Sequence, residues 1–138
     1  MTMHNRRSFL GIAAASLLPG RVSAQAPAQR SPNELARHAL TGPLDGFEVV
    51  LVQLNMAPGS RASGPGHRHP GPVLGYVTEG QMAFAINNET PQVLPTGGTF
   101  FEPIGAVHTT SGSAASDAGA RAVVFMIVPK GKPLTAPA

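Results

Sequence analysis

After residue 45 the chain alternates short apolar runs, rich in β-branched residues, with turn signals. Residues 47–56 form a mainly apolar run ended by Pro58-Gly59, and residues 73–77 lead into a turn at Glu79-Gly80. Residues 82–86 run into Asn87-Asn88, and Val93-Leu94 precedes Pro95-Thr96-Gly97-Gly98. Residues 99–101 and 107–110 follow, and the last run, 122–128, stops at Pro129. Many short strands at regular spacing, with no helical period in this part, predict an all-β sandwich or barrel. Several runs are apolar at consecutive positions, which predicts strands covered on both faces. Tyr76, Phe47, Phe84, Phe100, Phe101 and Phe125 are assigned to the core on apolar size. Residues 60–66, Ser-Arg-Ala-Ser-Gly-Pro-Gly, read as a loop that delivers the next residues to the barrel mouth.

The first 24 residues read differently. Asn5-Arg6-Arg7-Ser8-Phe9-Leu10 has the form of a twin-arginine export signal, followed by a short apolar stretch and small residues at Val22-Ser23-Ala24. The apolar segment is about half the length of a spanning helix, so no stable membrane anchor is expected. Residues 1–24 are assigned to a signal peptide, which implies a periplasmic or secreted protein. Residues 25–44 are assigned to a lead-in, 45–130 to a single barrel domain and 131–138 to a C-terminal tail. The whole chain carries ten Lys and Arg against seven Asp and Glu. Arg6, Arg7 and Arg21 fall in the signal, so the remainder is balanced at seven of each sign. No basic cluster follows residue 25, which argues against a nucleic-acid partner. There is no cysteine, so the fold relies on its core and on any metal it holds.

The chemistry sits in the histidines. His67 and His69 flank Arg68, and His108 lies beyond Pro103-Ile104-Gly105. On an extended backbone, side chains two residues apart point the same way about 7 Å apart. One ion can bridge that separation, with metal–nitrogen bonds of roughly 2.1 Å. A third imidazole from a neighbouring strand would leave the remaining coordination positions open to water or substrate.

These residues, with the glycines around them, resemble the two motifs of the cupins. The first runs from His67-Arg68-His69 through Tyr76-Val77-Thr78-Glu79 to Gly80, and the second from Gly97-Gly98 through Glu102-Pro103-Ile104-Gly105 to His108. The resemblance spans residues 45–130 and implies a double-stranded β-helix (jelly-roll) barrel. It also implies a mononuclear site for a divalent transition metal, with Fe²⁺ or Mn²⁺ favoured over Zn²⁺, Ni²⁺ or Cu²⁺. The departures matter as much. Val73 stands where the family's glutamate ligand falls, Gly98 where an acid is usual and Gly112 where asparagine is common. Three neutral imidazoles leave the ion's charge uncompensated, which favours an anionic, chelating substrate such as an enolate. The expected activity is that of an oxygenase on a small enolisable or anionic compound, with a non-oxidative isomerase or lyase, or a non-catalytic binding module, as the alternatives. A homodimer is expected by analogy with the family.

Glu102, held extended by Pro103, is the candidate catalytic residue. It is read as a general base, with a metal ligand, an acceptor for a histidine ring and an exposed strand-end carboxylate as the other readings. Arg68 is expected to point outward, Glu79 to belong to a turn and His38 to face solvent.

Overall fold

The computed structural model describes residues 31–138, so residues 1–24, assigned above to an export signal, lie outside the described residues. The described residues form ten strands: β1 (Ser31–Ala39), β2 (Phe47–Met56), β3 (Ala62–Arg68), β4 (Val73–Glu79), β5 (Gln81–Ile86), β6 (Gln92–Pro95), β7 (Thr99–Glu102), β8 (His108–Ser113), β9 (Ala120–Pro129) and β10 (Ala136–Pro137). They build two antiparallel five-stranded sheets, ordered β1-β2-β9-β4-β7 and β10-β3-β8-β5-β6. This is the all-β, double-stranded β-helix barrel that the sequence pattern and the two motifs predict.

The period of two along the strands makes the core. In β9 the even positions Ala122, Val124, Met126 and Val128 are buried while Arg121, Phe125 and Ile127 face out. β2 and β4 repeat the pattern with Val50, Val52, Val73 and Val77 inside. Strand β5 is buried from Met82 to Ile86. Its neighbour turn is tight, because Asn87 and Asn88 both take positive φ, a conformation asparagine tolerates. Asn87 also pins the approach to β8. Its amide donates to the Val107 carbonyl at 2.8 Å, and the Val107 amide donates to its Oδ1 at 3.0 Å.

The structure differs from the sequence reading in four places. The lead-in contains β1, which pairs along β2 from Ser31↔Asn55 to Ala39↔Glu48. Pro32 falls near the start of this edge strand, a place where proline is accommodated. The stretch read as a loop, 60–66, contributes to β3, with a break in register between Ser63 and His67 that absorbs its glycines and proline. The C-terminal tail adds β10 to the edge of the second sheet, against Arg68 and His67. Finally, of the six aromatics assigned to the core only Phe84 and Phe100 are buried; Phe47, Tyr76, Phe101 and Phe125 are exposed. The pairings Leu51↔Phe125, Leu74↔Phe125 and Leu74↔Phe101 place Leu51, Phe125, Leu74 and Phe101 in one apolar row across the outer face of the first sheet. Apolar residues on both sides of these strands therefore do not mean cover on both sides, since only the inward set is buried among the described residues.

Gly75, in mid-strand, packs tightly against an aromatic ring. A Cβ there would lie 2.0 Å from the Phe100 ring, which occupies the space a side chain would need. Gly75→Ala is expected to destabilise the fold by about 1–3 kcal/mol, the usual cost of overpacking. The shift of the urea unfolding midpoint at unchanged slope measures it.

Candidate metal centre

Strands β3 and β8 are antiparallel neighbours, and His67 is paired directly with His108. Directly opposed side chains share one face of the sheet. His69 follows two residues after His67, just past the strand end, so it returns to the same side. Gly66 makes this approach possible: its φ is +80°, and a Cβ there would lie 2.6 Å from the His108 carbonyl oxygen. A side chain at position 66 would push β3 away from β8 just where the two histidines meet.

The rings converge. Centroids of His67 and His69 lie 4.8 Å apart, those of His67 and His108 5.1 Å, and those of His69 and His108 6.4 Å. One nitrogen from each ring can be chosen so that all lie within 4.8 Å of one another. The Nε2 atoms of His67 and His69 are 3.2 Å apart. Two ligands on one ion, with bonds near 2.1 Å at tetrahedral or octahedral angles, are separated by about 3.0–3.4 Å. The pair is thus already at ligand spacing.

Ring orientation is set from behind. His69 Nδ1 lies 2.7 Å from the Leu134 carbonyl oxygen, and because a carbonyl only accepts, that nitrogen carries the proton. In the neutral ring Nε2 then holds the lone pair and faces His67. Burial lowers the His69 pKa, opposed in part by the Leu134 contact, which keeps the ring neutral at physiological pH and able to bind a metal. His108 is 5 % exposed and its Nδ1 lies 3.3 Å from Glu102 Oε1, the arrangement in which a carboxylate orients a ligating imidazole. Behind it, Phe84 packs on the His108 ring at 5.1 Å and on Phe100 at 4.6 Å, which makes the wall apolar.

Glu102 is 3 % exposed, so the reading of it as a surface carboxylate is wrong. Its alternation on β7 places it inside, opposite Val73 on β4. The carboxylate missing from β4 is therefore carried by the adjacent strand. Its Oε1 meets His108, while its Oε2 lies 3.7 Å from His69 Nε2, buried and without a hydrogen-bond partner. Desolvation raises its pKa to about 7. A buried carboxylate oxygen left without a donor is costly, and a cation between the imidazoles would relieve it. The donor set fits a divalent transition ion.

The remaining expectations sort simply. Arg68 points outward and donates to the Gly105 carbonyl, and Glu79 is exposed and pairs with Arg121 at 2.8 Å. His38 is exposed on β1. What the sequence reading missed is the Leu134 carbonyl, a backbone group that any residue would supply, and the Phe84–Phe100 wall.

Protein purified without chelators is expected to hold about one transition-metal ion per chain, and His69→Ala or His108→Ala far less, by elemental analysis. Without metal, Glu102 makes stability depend on pH. Its folded pKa is above its unfolded value of 4.5, so the native state binds the proton more tightly and stability falls as pH rises from 4.5 to about 7. His69, whose folded pKa is depressed, acts oppositely and costs stability as pH falls below 6.5. Glu102→Gln isolates the first effect: the apo variant should gain on the apo parent across that window, by up to about 1.4 kcal/mol per pH unit, in melting curves at matched pH.

Residues 52–128, more than half of the chain, match the family model for the cupin domain. No curated protein matches. Among solved structures, a double-stranded β-helix protein of Klebsiella pneumoniae aligns at 17% identity over 83% of this chain and 88% of its own, with a TM-score of 0.61. A DMSP lyase of Ruegeria pomeroyi aligns at 20% identity over 65% of this chain, TM-score 0.54. An oxalate oxidase in complex with glycolate aligns at 23% over 65%, TM-score 0.53. The chain spans less than half the length of these two enzymes, 43% and 46%. These likenesses support the fold, and the family match carries the conclusion: the chain belongs to the cupin domain family.

Proposed function

We propose that this cupin is a metal-dependent enzyme acting on a small enolisable or anionic organic compound, with oxygenase chemistry as the leading reading. The observation that carries it is a buried carboxylate oxygen, Glu102 Oε2, 3.7 Å from one of two imidazole nitrogens that are themselves 3.2 Å apart. A base beside a Lewis-acid site is what proton removal next to a carbonyl requires.

His67, His69 and His108 would hold the ion, with Fe²⁺ or Mn²⁺ favoured. When bound, such an ion supplies Lewis acidity to a developing oxyanion and, being redox-active, a route for electrons to dioxygen. The chain's own residues do the rest. Glu102 Oε1 is engaged by His108, which leaves Oε2 to take a proton from the substrate carbon. The electron pair from that C–H bond moves onto the carbonyl oxygen as an enolate. A carboxyl pushed up to about 7 is well matched to this step at neutral pH. The Phe84–Phe100 wall keeps water from one side, and the neutral imidazoles make an anionic ligand welcome.

Proton removal also opens a β-elimination, so a lyase is the second reading. The likeness to a DMSP lyase favours it, as does a base that serves both reactions.

Fe²⁺-loaded protein, assayed against β-dicarbonyls and flavonols, is expected to consume oxygen and substrate together. Loss of substrate without oxygen uptake would favour the lyase or isomerase, and tight binding with no loss of either would leave a binding module. Glu102→Gln is expected to lower kcat by about 10²–10⁴-fold while retaining metal. An unchanged kcat would remove Glu102 as the base.

A further inference from the structure

The C-terminal segment makes more of the site than a tail should. After β9 the chain turns at Gly131, with φ +74° and the Lys132 amide donating to the Pro129 carbonyl at 3.2 Å. It leaves the first sheet there and reaches the edge of the second, where Ala136 and Pro137 pair with Arg68 and His67. Between these points lies Leu134, the one residue of 130–138, apart from the strand that precedes them, that is not exposed. Its side chain packs against the hydrophobic core, and its carbonyl accepts from His69 Nδ1 at 2.7 Å. A cleft of about 290 Å³ is lined by Arg68, His69 and Pro70 together with Lys132, Pro133, Thr135 and Ala136.

We propose that residues 131–137 form a strap that locks His69 in its metal-ready tautomer, so that metal occupancy and docking of the C-terminal segment are coupled. The proposal rests on the three-histidine metal reading and names Leu134 as a positioning residue for it. With the strap undocked, His69 loses the acceptor for its Nδ1 proton, its ring turns freely and either nitrogen can carry the hydrogen. Only one of those states offers Nε2 to the ion, and orienting partners of this kind commonly change metal affinity by about 10–100-fold. Linkage makes the effect reciprocal: an ion that prefers the docked state must stabilise docking by the same factor. Leu134 supplies the contact through its backbone, with its side chain as the anchor, so the device depends on chain position more than on any chemical group.

Zn²⁺ alone is the probe, because it needs no redox control. The first arm uses the intact chain. Trypsin cleavage at Lys130–Gly131, followed by mass spectrometry, is expected to slow about tenfold or more when Zn²⁺ is saturating, with cleavage at Arg121 as the internal reference. The second arm compares Zn²⁺ affinity of the full chain, of a chain ending at Lys130 and of Leu134→Ala, which keeps the carbonyl but weakens the anchor. The expected order is full chain tightest, Leu134→Ala intermediate and the truncated chain weakest by about 10–100-fold. The third arm is the ¹⁵N spectrum of His69, which should report a protonated Nδ1 in the full chain and a mixture after truncation. Zn²⁺ binding with no protection of Lys130–Gly131 and no loss of affinity on truncation would overturn the strap and leave the metal centre standing. No Zn²⁺ binding by the full chain would overturn the metal reading, and the strap with it. Should the truncated chain fail to fold, the protection and ¹⁵N measurements on intact protein still decide.

Discussion

Everything in the site follows from the register of one antiparallel pair. Strands β3 and β8 align so that residue 67 faces residue 108, and that pairing alone brings the two imidazoles onto one face of the sheet. A slip of one residue would send one of the rings to the other face of the sheet. Gly66 permits the close approach, and Asn87 fixes the chain entering β8. Position 69 is then carried along by the local alternation of the strand.

The same closeness creates an electrostatic debt within the barrel. A carboxyl group almost without solvent contact, beside two imidazoles, is stable as an anion only next to positive charge. The fold tolerates this because the surrounding strands are well packed around Val50, Val73, Met82 and Val128. The packed core thus fills the body of the barrel, and the candidate metal centre lies where β3, β7 and β8 bring their polar side chains together. Such local conflicts between sequence and environment are expected where a protein does chemistry.

How much of this was legible follows the same division. Short apolar runs such as 73–77 and 122–128, with turn residues between them, announced the barrel, whereas the period of two in β4 and β9 appears only in the burial of alternate positions. The histidines were legible because few other arrangements call for that spacing. The stretch through Ser63, Gly64 and Pro65 was misread, since composition there reports a broken register rather than a loop. Strand β1 was missed because an edge strand needs little apolar content to pair with a strong neighbour. Phe101 and Phe125 were misplaced because hydrophobicity records a preference for burial but not which face the backbone turns inward. Glu102 opposite Val73 could be found only once pairing was known, as the two are 29 positions apart in sequence but adjacent across β4 and β7. The role of the Leu134 carbonyl has no signature in side-chain identity at all.

Position 75 carries a last implication. The absence of a side chain in the middle of β4 gives the ring of residue 100 its seat, that ring supports residue 84, and residue 84 in turn lies against a histidine. Among descendants of such a chain, positions 75 and 100 should drift as a pair, any gain in bulk at one matched by a loss at the other. A selection pressure acting on the chemistry of the ion would in this way leave its mark on a glycine that meets neither metal nor solvent.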